Sequence, residues 1–72
     1  MDAMSKRKQL GRAVRDGRLA KGCSQVELAL MIGSGPAQIH NVEAGGANIG
    51  IDTYLKIDEV LELGLFTLSF ES

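Results

Sequence analysis

The sequence predicts a small all-α bundle of four to five helices followed by one short β-strand, and three observations lead there. Apolar residues recur at helical spacing over most of the chain. Glycines and the single proline fall between those runs, and after Gly64 the pattern alternates with a period of two. At 72 residues there is room for one domain and one small core, so stability is expected to be marginal unless a partner adds buried surface. The expected organisation is a flexible N-terminus over 1–5, a helical domain over 6–63, and a C-terminal strand and tail over 64–72.

The first helix is expected from about Lys6 to Lys21. Leu10, Ala13 and Val14 mark one face, and Gly22 is placed to end it. Gly17 stands one heptad after Leu10, where a large side chain would normally fill the core, so either a cavity or the close approach of another backbone is expected there. Next, "SQVE" reads as a capping box from Ser24 to Glu27, so a second helix begins at Gln25. It is expected to bury Val26, Leu28, Ala29 and Ile32 in part and to stop before Gly33.

Pro36 suits the first turn of a third helix, because its missing amide hydrogen does no harm there and its fixed φ helps. Ile39 and Val42 then point inward, leaving Pro36, Ala37, Gln38, His40 and Asn41 more exposed, and Ala44-Gly45-Gly46 ends the helix. A further helix is expected from about Ile51 to Glu62, apolar around most of its circumference, which calls for more than one neighbour. Beyond Gly64, Phe66, Leu68 and Phe70 face one way and Thr67, Ser69 and Glu71 the other, which reads as a strand. Nothing else in the chain alternates. The strand therefore has no sister within the subunit, and the economical solution is pairing across a twofold axis in a homodimer. The expected dimer residues are Tyr54, Leu61, Leu65, Phe66, Leu68 and Phe70.

The formal net charge of −1 conceals a split: residues 1–21 carry +5 and residues 22–72 carry −6. Such asymmetry suggests a basic surface for phosphates at one end, or a merely solvated basic helix, and an acidic surface at the other. One cysteine, Cys23, permits neither a disulfide framework nor a cysteine-based zinc site within the chain, and is expected as a small buried hydrophobe in a reducing cytosol. There is no apolar run near the roughly 20 residues that span a bilayer, and "MDAMSKRKQL" lacks the apolar segment of a secretion signal. A cytoplasmic protein without membrane contact is expected.

Enzymatic chemistry finds little material. His40 is the only histidine, and no acid, base and nucleophile converge on it. The glycines of "GSGPA" lack both the following lysine and the preceding strand of a nucleotide loop. No enzyme activity, cofactor or metal is expected.

Two short helices joined by a glycine turn, the second with an outward row of small and polar residues, form a helix-turn-helix arrangement. Over residues 9–63, "LGRAVRDGRLAKGCSQVELALMIG" followed by "AQIHNVEAG" resembles the phage-repressor and Cro type of helix-turn-helix protein, the XRE family. The matching residues are Leu10-Gly11, Arg15, Arg18, Gly22, Ser24-Gln25, Glu27-Leu28-Ala29, Gly33, Ile39, Glu43 and Gly45. Within the family, "IDTYLKIDEVLEL" and "GLFTLSF" are most similar to the HipB-type antitoxins, whose terminal strand pairs across the dimer.

The resemblance implies a dimeric DNA-binding repressor of its own operon, acting on double-stranded DNA with two half-sites and complexed with a kinase toxin of the HipA type. Gln25 matches the family's phosphate-contacting glutamine, with Ser24 beside it at the helix start. Lys6, Arg7, Lys8 and Arg12 are further candidates for phosphate contacts that give affinity without sequence choice. Base reading falls to the positions matching Pro36, Ala37, Gln38, His40 and Asn41. Gln38 or Asn41 can offer paired donor and acceptor groups to adenine, and Pro36 or Ala37 can touch a thymine methyl. Gly35, Pro36 and Ala37 depart from the polar residues usual at that helix start, which leaves fewer hydrogen bonds for bases. Arg18 and Glu43 match positions that form a structural salt bridge in similar repressors. A rival reading keeps the fold but gives it a protein partner in place of specific DNA recognition.

Overall fold

The computed structural model describes residues 3–46 and 48–65, which form four α-helices: α1 (Ala3–Ala20), α2 (Gln25–Ile32), α3 (Pro36–Glu43) and α4 (Ile51–Leu61). There is no strand among the described residues. The expected strand, with Phe66, Leu68 and Phe70, lies outside them.

Local chemistry sets most of the boundaries. α1 starts at Ala3, earlier than the expected Lys6, so residues 3–5 belong to the helix. No glycine or proline stands there to delay it, and alanine and methionine favour helix. α1 closes at Gly22, where the Cys23 amide donates to the Arg18 carbonyl at 3.0 Å. α2 has both halves of its capping box: the Glu27 amide donates to Ser24 Oγ at 3.0 Å, and the Ser24 amide donates to Glu27 Oε1 at 2.8 Å. Its other end turns on Gly33 at φ 69°, and the Ser34 amide donates to the Ala29 carbonyl at 2.8 Å. α3 opens with Pro36 at its first position, while Gly35 supplies no side-chain cap. α4 ends at Leu61, one residue short of the expected Glu62, which adopts a left-handed conformation at φ 55°.

α3 packs against both α1 and α2, and α4 closes the bundle against α1 and α2. The core consists of Val14, Leu28, Ala29, Ile32, Ile39, Val42, Tyr54, Ile57 and Leu61, edged by Leu10, Ile49, Val60 and Leu63. Leu28, Ile39, Ile57, Val14 and Val42 are completely buried, each contributing roughly 1.5–3 kcal/mol relative to an exposed side chain. Tyr54 and Leu61, expected at a dimer interface, are buried in this core instead. They sit at i and i+7 on the face of α4 that meets its own subunit, which leaves them little surface for a second copy.

Two glycines differ in what they admit. At Gly11 a Cβ would collide with the Val42 carbonyl oxygen and lie 2.7 Å from that of Glu43, so the backbones of α1 and α3 meet here. Gly17 is neither beside a cavity nor beside another backbone: the Leu63 side chain fills the space. That leucine follows α4 and approaches from 46 positions away, a distance that a local reading of α1 does not cover.

Val26 is 53% exposed, contrary to the partial burial expected. Leu28, Ala29 and Ile32 fix the inward direction of α2 and turn Val26, Leu30 and Met31 to solvent. Cys23 is half-buried and not a core residue, because it follows the Gly22 turn outside the bundle's packed layer. Ile51 and Leu55 on α4 are also exposed. No described helix is long and apolar enough to cross a membrane.

Candidate nucleic-acid interface

Ile39 and Val42 anchor α3 in the core, and the helical pitch then turns Ala37, His40, Asn41 and Ala44 outward. Pro36, Ala37, His40 and Asn41 are exposed. The five candidate base-reading positions are not equivalent. Gln38 is half-buried, and its Nε2 donates to Thr53 Oγ1 of α4 at 3.2 Å, so this amide ties α3 to α4. Asn41 lies over Gly46, where any Cβ would collide with its amide group. Pro36 and Ala37 offer only apolar contact. His40 projects from the outer face toward α1 and α2, where it lines an open depression.

Beneath that depression is the most elaborate polar cluster in the described residues. Arg18 Nε donates to Glu43 Oε2 at 2.6 Å and Arg18 Nη2 to Glu43 Oε1 at 3.0 Å, while Nη1 reaches the Cys23 carbonyl at 2.8 Å. The Arg18 and Glu43 side chains are 10% and 6% exposed. Hydrogen bonding to Glu43 raises the Arg18 pKa above its ordinary value, against the opposing effect of burial. α1 is thereby joined to the C-terminal end of α3 by a forked, charge-assisted contact.

Gln25 also reaches this cluster, its Nε2 donating to Glu43 Oε1 at 3.3 Å. The glutamine at the start of α2 is therefore oriented by the same carboxylate that holds Arg18. Ser24 accepts from Glu27 as a cap, and its hydroxyl hydrogen remains available to an acceptor. The basic residues of α1 are dispersed. Lys8 crosses the C-terminal end of α3, its Cα and Cγ lying against Gly45. Lys6 and Arg12 are exposed, whereas Arg7 is half-buried and close enough to Tyr54 to oppose the upward shift that burial gives its phenol. Arg7 is thus directed partly inward, and it is a poorer phosphate ligand than its charge suggests.

Arg15, for which the sequence suggests no DNA contact, lines the depression with Arg18, Gln25, His40, Glu43 and Ala44. The signal that could have found it was its spacing of three before Arg18, which places both on one side of α1. Among the described residues no group of histidine, cysteine, aspartate or glutamate is arranged to hold a metal.

Comparison with known proteins adds a family. No curated protein and no solved structure gives a significant match. A family model described as "Helix-turn-helix" matches residues 14–68, more than half of the chain, and takes in α2, α3 and the glycine turn between them. With a capped α2, an outward-facing α3 and a match of that extent, the chain belongs to the XRE-type helix-turn-helix family, a family of DNA-binding transcription regulators.

Proposed function

We propose that the protein is a homodimeric, sequence-specific repressor, an antitoxin-like autoregulator of its own operon. The observation that carries this reading is the presentation of α3: its inner face is fixed by Ile39, Val42 and the Arg18–Glu43 pair, and its outer face is left open. A rigidly seated helix with an exposed face beside a basic α1 suits the major groove. Within that face Asn41 carries the polar contact to bases and Ala37 the apolar one, while His40 stands at the edge of the face beside the depression and Gln38 acts through the position of α3. Gln25 and Ser24 contact phosphates at the start of α2, with Lys6, Lys8 and Arg12 adding backbone contacts.

The dimer would use Leu65, Phe66, Leu68 and Phe70, joined by the exposed Ile51 and Leu55 of α4. Two half-sites about 34 Å apart follow from the usual geometry of such dimers. A kinase toxin of the HipA type completes the complex in this reading, on the strength of the resemblance alone.

The test is a titration against the duplex just upstream of the protein's own reading frame, beside a scrambled duplex, at two salt concentrations. A preference that survives the higher salt is expected; equal, salt-sensitive binding would remove the repressor. Truncation after Gly64 tests the dimer, because a chain that keeps its mass in solution and its stability would exclude strand pairing. The second reading, a domain that binds a protein partner, is favoured by the apolar outer face of α2, where Val26, Leu30 and Met31 are each at least half exposed. It would be preferred if neither duplex bound.

A further inference from the structure

We propose that the depression between α1, α2 and α3 seats one phosphate of the DNA backbone, with Arg15 as its charged ligand and Gln25 and His40 as flanking donors. This deepens the repressor reading and rests on DNA being the ligand of that face.

The floor of the depression is electrically closed. Glu43 accepts from two nitrogens of Arg18 and from Gln25, and the third Arg18 nitrogen is bound to the Cys23 carbonyl. The pair is neutral and its hydrogen bonds are satisfied, so Glu43 neither needs Arg15 as a counter-ion nor repels an incoming anion. Arg15 is exposed and has no ion pair or hydrogen bond among the described residues. One uncompensated positive charge therefore stands over a neutral floor, and a guanidinium with a free fork is matched to two phosphate oxygens.

The flanking groups point to the same ligand. Gln25 uses one amide hydrogen on Glu43 and keeps a second to donate. His40 brings an imidazole from α3 to the same depression. Glu43, already satisfied, is the only carboxylate among the described residues that line the depression. A backbone phosphate suits the place because the seat adjoins the outer face of α3, which is where a strand would pass if that face lay in the major groove. Since α1, α2 and α3 all contribute, a phosphate held there fixes the roll of α3 in the groove, which contacts from the N-terminal turns of α1 cannot do.

The experiment measures binding of wild type, Arg15→Gln and Arg15→Lys to the upstream duplex and to a scrambled duplex of equal length, across about 50 to 200 mM salt. Because Arg15 is exposed, both variants are expected to melt as wild type does. Arg15→Gln should weaken binding to both duplexes and lower the slope of log K against log salt by about 0.9 for each subunit bound. Arg15→Lys should restore most of that slope. A slope unchanged in Arg15→Gln would overturn the seat. Sequence preference with an unchanged slope would leave the repressor standing and remove the seat; a lowered slope without preference would do the reverse. Binding to neither duplex would remove both.

Discussion

α2 and α3 are both eight residues long and are separated by one turn, yet they are held in opposite ways. α2 is secured by its own sequence, with a reciprocal capping box at one end and a left-handed glycine closure at the other. α3 begins at an uncapped Gly35 and depends on its neighbours: Gly11 lets α1 approach it, Arg18 grips its last residue, and Thr53 holds Gln38. A helix that carries its own caps can stand as scaffold. One held from behind keeps its start and outer face free for a ligand, at the cost of concentrating its stability in a few long-range contacts.

That contrast can be broken most severely at Glu43. Glu43→Gln removes the charge that neutralises a buried guanidinium, and urea unfolding is expected to report a loss of about 3 kcal/mol or more. In a domain of this size that approaches the whole stability. Gly11→Ala comes next, since the added methyl meets backbone carbonyls that cannot rotate away. About 1–3 kcal/mol should be lost, and a weaker α1–α3 contact should appear as faster amide exchange in α3. On the self-sufficient side, Ser24→Ala should cost about 1 kcal/mol and leave α3 in place.

The smallest expected effect is a gain. Gly35→Ser gives α3 the cap it lacks, at a position where a Cβ meets no atom within 4 Å and φ is −94°. Thermal unfolding should rise by an amount corresponding to a few tenths of a kcal/mol. A pH series sharpens the comparison further. Hydrogen bonds from Ser24 lower the Glu27 pKa below its ordinary 4.5. A lowered carboxylate contributes stability that is complete above the ordinary value and is lost as pH falls through the folded one. Glu27→Gln should therefore lower the melting temperature near neutrality, and its difference from wild type should close as pH falls below about 4.5.

Legibility followed the same divide. Boundaries that depend on a few adjacent residues could be read directly: Ser24 and Glu27 open α2, Gly33 closes it, Pro36 opens α3. What depends on contacts between distant segments was read less well. At Gly17 the sequence offers a cavity or another backbone because Leu63 is far away in the chain, and the demand of the subunit's own core on Tyr54 and Leu61 is not visible along α4 alone. Gln38 spends one amide hydrogen on Thr53, a contact between α3 and α4 that a local reading does not show. Arg15 is legible as a family-matching residue but not as a phosphate ligand, for a related reason. Its spacing from Arg18 places it on the right side of α1, and the saturation of Glu43 by Arg18 and Gln25 then distinguishes an arginine with nothing to neutralise from one already occupied.

The outer face of α3 has a practical consequence. Ala37, His40, Asn41 and Ala44 contribute nothing to the buried core, whose grip on α3 runs through Ile39, Val42 and Glu43. Apart from His40, which borders the depression, these outward positions form an exchangeable cassette. For the repressor proposed above, a library randomised there with helix-compatible residues would sample operator preferences on an unchanged core.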